Sequence, residues 1–428
     1  MIIQIQSKNS FLLDILYKNP NTDMGLYLKK LKNGVIVGNA VSAHEYHCIF
    51  QDTKYSYLPE ESNQIDFQSY CSPLLVLNMM SELFSHLYKN REDLANTELS
   101  WLGKTYREID TKPCTIVLKT FFIDSNWYKF GTFLLSKYID GIALHPKIGF
   151  NYELSIEGNT VREAMLKLSV VSLFSHFTNR YAVHQYIVDD FIRKYIDILT
   201  NLEGVPYFVF YLFIKRIIRS KEQFEKFKPA LEDYFNGQTQ FVFTDTHQSR
   251  KEFICRAINM SESILDFGCG ELQYYKKLQK MGFREDYWAY DMIDYSKQVE
   301  LLVEAEQCYN LRWISDRNSL VDFKGQVILS EVIEHNSVES ARELLIWIRD
   351  HVRFTRLFIT TPDREFNVHY DMTEDFRHDD HDFEWTHAEF RAVICEIFHT
   401  KVEFYGIGDC INGVYPTSAA IVHNEIEN

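Results

Sequence analysis

Apolar positions keep a regular rhythm over the second half of this chain. Short hydrophobic runs of strand length alternate with stretches whose apolar residues recur at helical spacing. Ile264 to Phe267, Tyr287 to Tyr290, Leu311 to Ile314, Gln326 to Leu329, Leu357 to Thr360, Val402 to Tyr405 and Ala419 to Val422 read as strands. Leu272 to Met281, Ser296 to Glu304, Val338 to Val352 and His387 to Ile397 read as helices between them, with Gln248 to Ile258 leading in. Such alternation predicts an α/β domain with a mainly parallel, doubly wound sheet. Ligands of such sheets bind beyond the carboxyl ends of the strands.

The first half is less regular. Ile2 to Ile5 reads as a strand, and so does Val35 to Val37 after an Asn33-Gly34 turn signal. Pro73 to Lys89, Val161 to Phe177 and Val188 to Leu199 carry amphipathic helical spacing. This predicts a separate mixed α/β domain. Polar composition between Asn236 and His247 puts the boundary there, dividing 1–240 from 241–428. No catalytic constellation stands out in the first domain. His44 and His47, beside Cys48, read as scattered histidines. Lys215, Arg216, Arg219 and Lys221 form a small basic cluster expected on one helix, most simply a solvated face.

Composition narrows the class. The chain has 428 residues, 46% hydrophobic, enough for a large core and against wholesale disorder. Its net charge of -15 argues against a broad basic surface for long nucleic acid, though not against grip on a terminus. Eight cysteines without a CxxC pair suggest free thiols in a reducing compartment. Met1 to Ser10 lacks signal-peptide character, and the apolar run Val205 to Ile214 is too short to span a bilayer. The expectation is a soluble cytoplasmic protein with no membrane partner.

Candidate chemistry gathers at three places. Asp266-Phe267-Gly268-Cys269-Gly270 ends the first strand of the second domain. Its glycines allow a tight turn and close approach to a ligand. The third glycine of a dinucleotide fingerprint is replaced by Gln273, which disfavours NAD. Asp291 ends the next strand, where an acid can accept hydrogen bonds from a ribose diol. Ser315 and Asp316 end the third, where an adenine would lie. This set suits S-adenosyl-L-methionine better than a dinucleotide.

The second place is Ser330-Glu331-Val332-Ile333-Glu334-His335, expected to open a helix. Positions i, i+3 and i+4 share a helix face, so Glu331, Glu334 and His335 would converge, most of a divalent-cation site. The third is Arg377-His378-Asp379-Asp380-His381-Asp382-Phe383-Glu384-Trp385, which can supply the missing ligand. The plainer alternative is an acidic, solvated helix face.

With Thr361-Pro362-Asp363-Arg364-Glu365-Phe366-Asn367, these motifs make Gln248 to about Gly406 resemble the HEN-type 3′-terminal RNA ribose 2′-O-methyltransferases. The resemblance implies a Rossmann-like methyltransferase fold, S-adenosyl-L-methionine, and Mg²⁺ or Mn²⁺ held by Glu331, Glu334, His335 and His381, with His381 rather than His378 in the ligand position. It places Asp291 and Ser315 at the cofactor, within a cofactor set of Asp266, Gly268, Cys269, Gly270, Asp291, Ser315 and Asp316. Arg377 and Asn367 become the candidate RNA contacts. A structural ion pair of Arg377 with Asp379 or Glu384 is the alternative. The family usually has Asn where Asp363 stands and Arg where His387 stands.

The first domain resembles, more faintly, the N-terminal domain of bacterial members, through Tyr70-Cys71-Ser72-Pro73 and Val183 to Lys194. That implies a polynucleotide kinase-phosphatase-ligase as partner in RNA repair. The implied substrate is an RNA 3′ end with a free 2′,3′-diol. Rival readings are a methyltransferase acting on a small molecule or DNA, and a non-catalytic subunit that activates a ligase.

Overall fold

A computed structural model describes residues 2–18, 25–30, 34–52, 73–124, 128–129, 132–179, 187–306, 310–370 and 376–424. Asn33, Tyr70 to Ser72 and residues 183–186, each part of a sequence signal above, lie outside the described residues. The chain forms two compact units, Met1–Tyr234 and Phe235–Asn428.

The first unit holds a seven-stranded antiparallel sheet built from β1 (Ile2–Ser7), β2 (Leu26–Lys30), β3 (Gly34–Ser42), β4 (Glu45–Asp52), β5 (Cys114–Phe122), β6 (Ile142–Pro146) and β7 (Asn151–Gly158). The spatial order is β6-β7-β5-β1-β4-β3-β2. Buried and less buried residues alternate along β1 and β5, so one sheet face is packed. Helices α1 (Pro73–Phe84), α2 (Val161–Thr178), α3 (Asp189–Thr200), α4 (Tyr207–Ile217) and α5 (Lys221–Asp233) complete the unit. α2 is buried nearly all round, from Val161 to Thr178, which marks it as a central core helix.

Two local expectations fail here. The helix expected to reach Lys89 leaves α-geometry at Phe84 and continues as a 3₁₀ turn, Ser85–Tyr88. There His86 stacks on Tyr17 with centroids 3.9 Å apart and bonds the Ile15 carbonyl at 3.0 Å, a tertiary contact that helical spacing does not contain. The basic cluster does not share a helix. Lys215 and Arg216 end α4, Ile218 is extended, and Ser220 caps α5 by accepting a bond from the Gln223 amide.

The second unit opens with α6 (Thr246–Ala257), followed by β8 (Ile264–Phe267), α7 (Gln273–Lys280), β9 (Tyr287–Tyr290), α8 (Ser296–Glu306), β10 (Leu311–Trp313), β11 (Lys324–Ser330), α9 (Val338–His351), β12 (Arg353–Pro362), α10 (His387–Ile397), β13 (Val402–Ile407) and β14 (Thr417–His423). The sheet order is β10-β9-β8-β11-β12-β14-β13. All neighbours are parallel except β14, which runs against both β12 and β13. β8 is buried at all four positions, as a central parallel strand covered on both faces must be. Leu265, Val327, Leu357, Leu345 and Phe390 build the core on one face, and Ile264, Tyr275, Tyr287 and Ile328 build it on the other.

Thr239–Gln240 pairs with Cys410–Ile411, so residues just after Tyr234 pack with the second unit. All six described cysteines carry free thiols. Among the described residues no helix is long and apolar enough to cross a membrane.

Candidate metal and cofactor site

The expected helix at Ser330 does not form. Glu331 has φ 55°, a left-handed turn that ends β11, and only a 3₁₀ turn, Ile333–His335, follows before α9. The i, i+3, i+4 argument therefore does not apply. Glu331 is not among the ligand groups that come together within 4.8 Å. The Glu331 amide donates to the Thr360 carbonyl at 3.0 Å, and its carboxylate accepts the Thr360 hydroxyl at 3.1 Å. The same carboxylate forms a 3.0 Å salt bridge with Arg250 of α6. A hydroxyl chain from Tyr274 through Ser330 to Thr360, with links of 2.7 and 2.8 Å, leads to it.

Glu334, His335 and His381 do meet. One ligand atom from each lies within 4.8 Å of the others. His381 arrives on the loop before α10, held against the Glu334 turn by the Asp382 amide bonding the Glu334 carbonyl at 2.9 Å. The His335 and His381 rings cross edge to face at 5.0 Å. His378 neighbours His381 but is exposed and outside this group.

Glu334 is fully buried. One oxygen accepts the Thr361 hydroxyl at 3.2 Å, and the other has no hydrogen-bond partner. Burial pushes its carboxyl well above the usual range, and the nearby Glu331 charge adds to this. An uncompensated buried carboxylate beside two imidazoles is costly unless a cation joins it. The donor set of carboxylate oxygen and imidazole nitrogen fits a divalent cation.

The imidazoles are oriented from behind. His381 Nδ1 lies 2.8 Å from Glu384, whose side chain is fully buried. His335 Nδ1 lies 3.1 Å from the Asp380 carbonyl. Holding Nδ1 leaves Nε2 as the available ligand nitrogen on each ring. Glu384 also accepts from Asn367 Nδ2 at 2.6 Å and from the Arg377 amide at 2.9 Å. Burial raises its pKa, but these three bonds outweigh burial and the net direction is down.

Arg377 and Asn367 occupy different places from those expected. Arg377 Nε donates to Asn367 at 2.7 Å, and its terminal nitrogens donate to the carbonyls of Pro416 and Asp363. Asn367 is 3% exposed, with both amide atoms bonded. A buried amide and a guanidinium on backbone carbonyls are interior braces, not groups held out to a phosphate. No Arg377 ion pair with Asp379 or Glu384 forms either.

The glycine turn follows β8. Gly268 has φ 83° and Gly270 φ 46°. A Cβ on Gly268 would lie 2.4 Å from Val332, whereas around Gly270 it would meet nothing within 4 Å. The Gly270 amide donates to Asp291 at 2.9 Å, tying the turn to the end of β9. Asp266 is buried and accepts the Tyr287 hydroxyl at 2.5 Å, and Cys269 is buried beside it. Ser315 and Asp316 are exposed past β10, with Asp316 capping the next turn through the Asn318 amide.

Sequence reasoning missed Arg250 and the bracing role of Glu384. Glu384 stands three residues after His381, a spacing visible in the chain. Arg250 lies far away in sequence and left no local signal.

A sheet in this order with one reversed strand, a glycine turn after its first strand and an acid after its second define a Rossmann-like methyltransferase domain. The chain is 44% identical to one in the structure of the Pnkp1/Rnl/Hen1 RNA repair complex, covering 99% of this chain and 100% of that one with a TM-score of 0.90. The small RNA 2'-O-methyltransferase of Xenopus tropicalis is 35% identical over 85 residues, 18% of this chain and 22% of that protein. The Tetrahymena thermophila protein of the same name is 33% identical over 111 residues, 23% of this chain and 26% of that protein. This chain thus spans about a quarter of these curated relatives. The model of the Hen1 N-terminal domain family matches residues 2–236, more than half of the chain. The chain belongs to the Hen1 family.

Proposed function

We propose that the second unit transfers a methyl group from S-adenosyl-L-methionine to the 2′-hydroxyl of the 3′-terminal ribose of an RNA, with Mg²⁺ or Mn²⁺ at Glu331, Glu334, His335 and His381. The observation that carries this reading is the buried Glu334 carboxylate, one oxygen unpartnered, grouped with two imidazoles at the carboxyl edge of a methyltransferase sheet. The names of the relatives support RNA ribose as the substrate class.

In the transfer, the methyl carbon–sulfur bond breaks and its electron pair stays on sulfur. The 2′-oxygen forms the new bond and releases its proton to water. A divalent cation at the four ligands would supply Lewis acidity toward the terminal 2′ and 3′ hydroxyls, the basis of selectivity for a free diol. The chain's own residues position the reactants. Glu384 and Asp380 fix the two imidazoles, and Thr360 and Thr361 fix the two carboxylates. Glu331 must exchange Arg250 for the cation. The glycine turn, Asp291, Ser315 and Asp316 form the cofactor side, with Gly270 leaving open space there.

The first unit is the partner module in this reading. The match to a chain of a Pnkp1/Rnl/Hen1 complex supports a polynucleotide kinase-phosphatase-ligase as its partner in RNA repair.

The test is transfer of labelled methyl to a short RNA. Ends with a 2′,3′-diol, a 2′-deoxyribose and a 3′-phosphate are compared, with Mn²⁺ and with EDTA. Signal only with the diol and metal is expected. Methylation of the 3′-phosphate end, or full activity in EDTA, would overturn the reading.

A further inference from the structure

Beyond the metal and cofactor groups, a cavity of about 490 Å³ opens among Asp363, His387, Arg391, Phe404, Tyr405 and Tyr415. It sits where β12 and β13 end and β14 begins, on the same edge as Glu334. Thr361, which bonds Glu334, is two residues before Asp363. Two residues of extended chain span about 7 Å, within one nucleotide's reach.

Its walls are specifically built. Gly406 lies inside β13, where glycine weakens a strand. A Cβ there would fall 2.1 Å from the Tyr415 ring, so the bare backbone is what lets that ring lie against the strand. On the other side, Ser418 bridges His387 and Asp363. His387 Nδ1 is 2.8 Å from the Ser418 oxygen, and the Ser418 hydroxyl donates to Asp363 at 3.3 Å. Asp363 is 2% exposed. A buried acid maintained behind a histidine is a costly way to fill space, but an effective way to aim a ring. The ring's Nε2 has no partner among the described residues. Arg391 lies over Phe404 at 4.6 Å, exposed and without a carboxylate partner among the described residues. Glu365 at the rim acts on His387 electrostatically, so the cavity is not a plain anion site.

A flat aromatic wall, one aimed hydrogen-bonding ring and one exposed guanidinium match a nucleobase with its adjoining phosphate. We propose that this cavity binds a base of the terminal dinucleotide of the RNA, stacked against Tyr415 with its polar edge on His387, and that Arg391, lying over Phe404, meets the neighbouring phosphate. The inference rests on RNA being the substrate, and it adds a base-dependent grip separate from the diol.

The test uses the full chain and short fluorescent RNAs that are intact or lack the base at the last or penultimate position. Binding is read by anisotropy, and methyl transfer by KM and kcat. Loss of the correct base should weaken binding and raise KM roughly tenfold, with kcat little changed. In Tyr415→Leu and His387→Ala the same base loss should no longer matter. Arg391→Ala, an exposed change, should weaken all RNAs alike, and thermal midpoints report folding. Equal binding and KM for intact and base-less ends in the wild type would overturn the inference while leaving the methyl-transfer reading standing. Base-dependent binding without any methyl transfer would do the reverse. Neither base-dependent binding nor transfer would remove both.

Discussion

Replacing Glu384 tests whether the second cluster is held together from behind. Its carboxylate accepts from His381 Nδ1 at 2.8 Å, Asn367 Nδ2 at 2.6 Å and the Arg377 amide at 2.9 Å, with its side chain fully buried. Glu384→Ala leaves three interior donors without an acceptor. Each such donor costs about 1–3 kcal/mol, and water entering the gap recovers part, so a loss of about 3–6 kcal/mol is expected. That is a large share of a typical domain's stability. Glu384→Gln keeps the shape and one acceptor oxygen, so roughly half that loss is expected. It also puts a neutral amide in place of the carboxylate behind His381, and such outer partners are worth about 10–100-fold in metal affinity. Urea unfolding measures the first effect, and Mn²⁺ titration followed by electron spin resonance measures the second on the folded Gln variant. A loss below about 1 kcal/mol in the Ala variant, with unchanged Mn²⁺ affinity in the Gln variant, would refute the bracing argument.

Three further outcomes follow from named contacts. Burial pushes the Asp266 carboxyl up to about 7, against the Tyr287 bond that favours the anion and with the Asp291 charge adding to the rise. Because the folded value lies above the unfolded one, this group's contribution to stability is full below about pH 4 and is lost as pH rises toward 7, up to about 4 kcal/mol. Asp266→Asn should remove that slope, so in chemical denaturation the variant should gain stability relative to the wild type from pH 4 to 8. Arg250→Gln frees Glu331 from a partly exposed pair worth about 1 kcal/mol, so Mn²⁺ should bind roughly fivefold more tightly in titrations. Unchanged or weaker binding would show that Arg250 does not compete for Glu331. Gly268→Ala meets Val332 at a left-handed backbone and should cost about 1–3 kcal/mol in thermal unfolding, more than Gly270→Ala, where the space is open.

The seven strands and the helices between them in the second unit were legible from periodicity, most clearly the central parallel strands, whose burial on both faces makes them uninterrupted apolar runs. The glycine turn and the Asp291 position were legible for a related reason: they sit where such strands must end. The local geometry at Glu331 was not legible. Its spacing to Glu334 and His335 fits a helix, but the amide bond to Thr360 on the neighbouring strand draws the chain into a left-handed turn. Arg377 and Asn367 look like surface contacts in a charged stretch, yet their partners are carbonyls and a carboxylate brought in from other segments.

The sequence by itself determined the fold class of the second unit, the cluster of acids and histidines, and the family. Those follow from hydrophobic periodicity and residue type, which are local properties of the chain. Only the tertiary structure decided which of those groups meet. Arg250 claims Glu331, Glu384 holds His381, and the Glu334 oxygen is left buried and unpartnered. Desolvation and hydrogen-bond competition depend on every group that folding brings to the same place, and spacing along the chain does not carry that information.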